Sequence, residues 1–104
     1  MTLNKQQIKY LKKEAHQLKS IYQIGKLGVT DAFIHQLDQA LERHELIKFN
    51  ILQNSLEEIG DATQAMAQAL GAHVIQTIGH TAVLYRPSNK EKFQQISNQV
   101  KSLG

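Results

Sequence analysis

The chain of 104 residues contains no cysteine. Disulfides, thiol catalysis and cysteine-ligated zinc are thereby excluded. No apolar run approaches the ~20 residues that a membrane-spanning helix needs, so no membrane partner is expected. The opening residues Met1-Thr2-Leu3-Asn4-Lys5-Gln6 lack the apolar core of a secretory signal, which makes a cytoplasmic protein the expectation. Aromatic residues are scarce, with three tyrosines, three phenylalanines and no tryptophan. No strand carries the aromatic pattern of an RRM sheet, so base stacking is not expected to dominate any nucleic-acid contact.

Catalytic and metal signatures are missing as well. His44-Glu45-Leu46-Ile47-Lys48 begins like the zinc motif H-E-x-x-H, but Lys48 stands where the second histidine must be. The other histidines (His16, His35, His73 and His80) fall at no ligand spacing, so no metal is expected. There is no G-x-S-x-G elbow and no Ser-His-Asp order. Glu57, Glu58 and Asp61 cluster at the start of a helical pattern, where carboxylates complement the helix dipole. No cofactor, small-molecule substrate or enzymatic activity is expected.

What is present is a chain with 41% hydrophobic residues, enough for one folded domain with a two-layer core. Thr2 is a possible cap for a helix reaching about Ala15, with Ile8, Leu11, Ala15 and Leu18 on one face. Ile21 to Ile24 reads as a short strand. Thr30 suits the N-cap of a second helix, and Phe33, Ile34, Leu37, Leu41 and His44 continue one face of it. Leu46 to Leu52 alternates as a half-buried strand, with Lys48 and Asn50 on the face opposite Phe49. Ser55-Leu56-Glu57-Glu58 has capping-box spacing and predicts a third helix that ends at Gly71. Val74–Ile78 and Ala82–Arg86 form a hairpin around Gly79-His80, and Pro87 stops it. From Asn89 onward, Phe93, Ile96, Val100 and Leu103 mark a last helix whose stripe is expected to dock on the body of the protein.

The expected fold is therefore a small two-layer α/β domain with the order αβαβαββ plus a C-terminal helix. Helices of this length between strands favour parallel pairing, and the terminal hairpin adds an antiparallel edge, giving a four-stranded mixed sheet with packed helices.

Charge is unevenly spread. Residues 1–30 hold six lysines and one acid, whereas the remainder holds six basic and eight acidic residues. This asymmetry fits a polyanionic partner, and equally a solvated helix. Between the first strand and second helix lies Gly25-Lys26-Leu27-Gly28. It matches neither G-x-G-x-x-G nor the Walker loop, but it does match the G-x-x-G of KH-type RNA-binding modules. Alone it serves either a tight turn or a phosphate seat, with glycine backbone, helix N-terminus and Lys26 converging. Backbone contacts from Lys26, the helical Lys12 and Lys13, Lys48 and Arg86 would be the mode of RNA contact.

Four ordered segments carry a family resemblance. They are Lys12-Lys13-Glu14-Ala15-His16-Gln17-Leu18-Lys19, then Gln23-Ile24-Gly25-Lys26-Leu27-Gly28-Val29-Thr30, then Ala40-Leu41-Glu42-Arg43-His44-Glu45-Leu46-Ile47-Lys48, and Ile78-Gly79-His80-Thr81-Ala82-Val83-Leu84-Tyr85-Arg86-Pro87. Residues 1–87 thus resemble the CRM (chloroplast RNA splicing and ribosome maturation) domain in its stand-alone bacterial YhbY-type form, leaving 88–104 as a helical extension. Ser20 stands where the family often has proline. The resemblance implies a fold like the C-terminal domain of the third bacterial translation initiation factor. It also implies RNA binding and association with precursors of the large ribosomal subunit. The resemblance maps its G-x-x-G loop onto Gly25, Lys26, Leu27 and Gly28 and implies a basic surface with Lys26, Lys48 and Arg86. Thr30 at the start of the second helix and the first-helix Lys12 and Lys13 complete the expected RNA-binding residues. A protein adaptor docking on ribosomal or assembly proteins, with the lysines merely solvated, is the alternative.

Overall fold

Apolar side chains on both faces of the two central strands organise the molecule. A computed structural model describes residues 2–20, 22–52, 55 and 58–104. Helix α1 (Lys5–Ala15) leads into strand β1 (Tyr22–Ile24), followed by helix α2 (Asp31–His44) and strand β2 (Leu46–Ile51). Helix α3 (Ile59–Leu70) precedes the hairpin of β3 (His73–Ile78) and β4 (Thr81–Tyr85), after which come a 3-10 turn (Glu91–Phe93) and helix α4 (Gln95–Ser102).

The sheet is four-stranded and mixed, in the order β1-β2-β4-β3. Strands β1 and β2 pair in parallel across α2, with Tyr22 opposite Phe49 and Ile24 opposite Ile51. Strand β4 pairs antiparallel with both β2 and β3, so it is central, and only β3 forms the antiparallel edge. The crossover through α3 therefore skips one strand. The reason lies in β4 itself, which is buried along Ala82, Val83, Leu84 and Tyr85 and so needs cover on both faces.

Two cores result. On one face α2 and α3 pack Leu37, Leu41, Met66 and Leu70 onto Ile47, Phe49, Ile51, Ala82 and Leu84, and Phe33 meets Phe49 edge-on at 6.2 Å. On the other, Leu11 and Ala15 of α1 and Val100 of α4 cover Leu46, Ile75, Val83 and Tyr85. The sheet thus carries a helical layer on each side, so the expected two layers become three. Leu46, Val83 and Tyr85 lie on the face opposite Ile47, Phe49 and Leu84, and an antiparallel pair this apolar on both sides cannot be left open to water.

Helix ends differ from the sequence expectation in three places. Asn4, not Thr2, caps α1: its side chain accepts from the Gln7 N–H at 2.8 Å while Gln7 Oε1 accepts from the Asn4 N–H at 2.8 Å. Helix α3 begins at Ile59 with Glu58 as its own cap, its carboxylate accepting from the N–H groups of Gly60 and Asp61 at 3.0 and 2.9 Å. These bonds hold the Glu58 carboxyl below its usual range. Leu56 and Glu57 of the proposed capping box lie outside the described residues, as does Ile21 at the expected start of β1. The expected continuous helix from Asn89 is instead a 3-10 turn followed by α4.

Helix α4 has eight residues and no side-chain cap of its own. A helix this short is marginal in isolation. Other elements hold it at both ends. Glu45, fully buried at the end of α2, accepts from the Ser88 N–H at 2.6 Å and from the Ser97 N–H, in the first turn of α4, at 2.9 Å. At the far end, Gln7 Nε2 donates to the Val100 carbonyl at 2.8 Å and Asn4 Nδ2 to that of Leu103 at 3.1 Å. Glu45 also adopts φ +66°, turning the chain from α2 into β2, while its carbonyl accepts from the Arg86 N–H at 2.9 Å.

Removing the Glu45 carboxylate strands two buried N–H donors. Glu45→Ala, which keeps the same backbone constraint, is expected to cost about 3 kcal/mol in urea unfolding. Glu45→Gln recovers only part of that loss, because its amide nitrogen would face an N–H donor.

Tyr85 supplies an alkaline probe. Burial, then the Glu45 charge and Tyr10, push its phenol from 10.0 up to about 12. The fold thus disfavours its ionisation. The associated stability is complete below pH 10.0 and is lost as pH rises toward about 12. Burial and Glu14 also raise the Tyr10 phenol, so a phenolate absorbance titration should show more than one late tyrosine, with the last of them missing in Tyr85→Phe. Among the described residues its hydroxyl has no hydrogen-bond partner. Tyr85→Phe should therefore be neutral, or stabilising by up to ~1 kcal/mol, near neutral pH.

Candidate nucleic-acid interface

One end of the sheet gathers most of the candidate residues. The carboxyl ends of the parallel strands β1 and β2 lie there, with the N-termini of α2 and α3. The Leu52 N–H donates to the Ile24 carbonyl at 2.9 Å, and the Ile51 N–H to that of His80 at 2.8 Å, which brings in the hairpin tip. Open α/β sheets place ligands outside the carboxyl ends of their strands.

Gly25, Lys26, Leu27 and Gly28 form a four-residue turn closed by the Gly28 N–H donating to the Gly25 carbonyl at 3.1 Å. Its two glycines differ in physical role. Gly28 has φ +84°, a conformation that strains other residues, so local geometry accounts for it. Gly25 has no such φ, and a Cβ built on it would meet nothing within 4 Å. The fold does not require glycine at position 25. Its bare backbone leaves room for close approach by another molecule.

Lys26 and Leu27 stand at the tip. Lys26 is exposed, and among the described residues no carboxylate pairs with it. Leu27 is 81% exposed, which is unusual for a large apolar side chain. Thr30 caps α2, its hydroxyl accepting from the Phe33 N–H at 3.1 Å, so that hydroxyl already has a local task. Asp31 in the first turn offsets part of the helix dipole. The positive charge of this end therefore rests on Lys26 more than on the helix terminus.

The other basic candidates divide. Lys12 and Lys13 are exposed in the last turn of α1, close to Ala15 and His16, which border a small cavity with Lys48, Ile78 and Thr81. They flank the same end from the opposite face of the sheet. Lys48 projects on that face too, in the middle of β2. Arg86 does not join them. Its guanidinium bonds Asp38 Oδ1 at 2.7 Å, the Asp38 carbonyl at 3.0 Å and the Leu70 carbonyl at 2.9 Å, with Glu42 at 3.6 Å. That charge is neutralised where it ties β4 to α2 and α3, so Arg86 leaves the candidate surface.

Sequence reasoning missed the apolar rim of this end. Leu27, Leu52 and Ile78 are the exposed large hydrophobic side chains among the described residues, and all three stand here. The only sequence signal was an apolar residue at each strand or turn terminus, a common occurrence. Among the described residues no group of three His, Asp or Glu side chains could hold a metal, and no helix is long and apolar enough to cross a membrane.

The two glycines can be separated by stability alone. Gly25→Ala should leave unfolding free energy within about 0.5 kcal/mol, whereas Gly28→Ala should cost about 1 kcal/mol or more. Thermal or urea unfolding of the two variants checks this.

Comparison with known proteins agrees with this architecture. The model of the CRS1/YhbY (CRM) domain matches residues 3–86. A Bacillus subtilis protein named "Probable RNA-binding protein YqeI" is 42% identical over 90 residues, spanning 86% of this chain and 94% of that protein. A Haemophilus influenzae protein named "RNA-binding protein" is 37% identical over 93 residues, spanning 89% and 94%. The solution structure of the hypothetical protein SAV1595 from Staphylococcus aureus superposes with a TM-score of 0.73 at 35% identity, covering 90% of this chain and 98% of that one.

Proposed function

Because the chain belongs to the CRS1/YhbY (CRM) domain family, we propose that it is a non-catalytic RNA-binding protein of the cytoplasm. It associates with precursors of large-subunit ribosomal RNA and assists ribosome assembly. The G-x-x-G turn grips the RNA backbone. The observation that carries this reading is Gly25, a glycine that neither φ nor packing demands, beside Lys26, with which no carboxylate among the described residues pairs. The relatives named for RNA binding support the polymer, and the basic first helix supports a polyanion.

Phosphate fits this turn for simple reasons. The approach to Gly25 is free of side chain, Lys26 supplies the charge, and the exposed Leu27 offers an apolar surface to a sugar or base edge. Lys12, Lys13 and Lys48 would extend the contact along the sheet face that carries α1. Contacts of this kind position RNA without reading its sequence. The adaptor alternative needs an apolar face free to meet a partner, but in the C-terminal stripe Val100 is fully buried and Ile96 packs against the same core. Those side chains already have partners within the fold.

Lys26→Ala should weaken binding to a large-subunit precursor RNA roughly tenfold and reduce the log–log salt slope by about one. Gly25→Ala should weaken it comparably at unchanged stability. Filter binding across a salt series measures both. Wild-type affinity in both variants would remove the turn from the interface.

A further inference from the structure

A second site lies away from the turn. A cavity of about 570 Å³ opens between the start of β1, the last turn of α2, the first half of β2 and the C-terminal segment. That volume falls within the ~300–1,000 Å³ of small-ligand sites. Four cationic side chains line it, Lys19, Arg43, Lys48 and Lys92, together with the imidazole of His44. Among the described residues, none that lines it is acidic and none of these five is ion-paired. Apart from Gln95, its remaining wall is aliphatic or aromatic and includes the rings of Tyr22 and Phe93, with Lys92 Nζ 5.0 Å from the Phe93 centroid.

Concentrating unpaired cations around a cavity raises their mutual repulsion, which an anion relieves. Two aromatic rings beside them favour a flat, weakly polar group. We propose that this cavity seats one nucleoside 5′-monophosphate unit, with its base against Tyr22 and Phe93 and its phosphate among the basic side chains. An acidic peptide would use the cations and leave the rings idle. An apolar ligand would do the reverse.

The site is distinct from the G-x-x-G turn. Its β2 residues are Leu46, Ile47 and Lys48, whereas the turn follows Ile24, which pairs with Ile51. Lys48, the nearest of these, stands three residue steps from Ile51 along the strand, roughly 10 Å. Part of its wall, Lys92, Phe93 and Ile96, also lies beyond residue 86, where the family match ends. The C-terminal segment thus builds a cavity that the matched domain would not close alone.

The test is amide chemical-shift mapping of the full ¹⁵N-labelled chain with adenosine 5′-monophosphate, adenosine or inorganic phosphate. The nucleotide should shift amides of Lys19, Tyr22, His44, Lys48 and Phe93. It should bind about tenfold more tightly than either adenosine or phosphate. Arg43→Glu combined with Lys92→Glu, both exposed positions, should weaken nucleotide binding about tenfold with the rest of the spectrum preserved. No shift at these amides overturns the proposal. So does phosphate matching the nucleotide, which would mean an anion seat only, or adenosine matching it. A tetranucleotide with a 5′-phosphate identifies the source: tighter binding than the mononucleotide supports the seat as one for an RNA end, and exclusion of the oligomer supports it as one for a free nucleotide. Because the mononucleotide is read without reference to the turn, this test can fail while the G-x-x-G reading stands, and the reverse.

Discussion

The buried carboxylate of Glu45 is the constraint on which much of the structure depends. It sits where α2 hands over to β2 at positive φ, and its two oxygens hold the N–H groups of Ser88 and Ser97. A charged acceptor in a buried position is tolerated because each oxygen receives a backbone donor. The consequence travels far along the chain. Helix α4 has no cap of its own, so this carboxylate supplies the missing acceptor and sets α4 on the sheet face opposite α2. Asn4 and Gln7 then close its other end. The positions of Lys92, Phe93 and Ile96 follow from that anchoring.

A second organising feature is the difference between cations that are neutralised and cations that are free. Arg86 is spent on Asp38, Glu42 and the end of α3, where it joins three elements. Lys26, Lys12, Lys13 and Lys48 have no such partner among the described residues. A guanidinium suits the first role because its planar fork meets several acceptors at once, and flexible ammonium groups suit a surface that must follow a polymer backbone. The same sheet end exposes Leu27, Leu52 and Ile78, so charge and apolar surface meet there without competing for the core.

Local signals were legible from sequence and long-range ones were not. Thr30 was readable as a cap because its bond partner is three residues away, and the parallel pairing of β1 with β2 followed from the helix between them. The role of Glu45 was hidden because its partners lie 43 and 52 residues downstream, and because the H-E pair drew attention to metal chemistry instead. The central place of β4 was hidden for a related reason: a hairpin pattern says that two strands pair, not which of them meets a third. At the candidate site, Gly25 and Gly28 are indistinguishable as letters, and only their φ angles and surroundings separate a turn requirement from open space. Arg86 reads from sequence as one more surface cation, whereas in the fold Asp38 and the Leu70 carbonyl engage it.

The most direct test of the central claim is photocrosslinking of the full chain to a large-subunit ribosomal RNA precursor, with the modified residues located by mass spectrometry. The account predicts nucleotide adducts within residues 22–30, with further adducts around Lys12 and Lys13. Adducts confined to the exposed face of α3, at Gln64, Ala65, Gln68 and Ala69, with none at the turn, would contradict it.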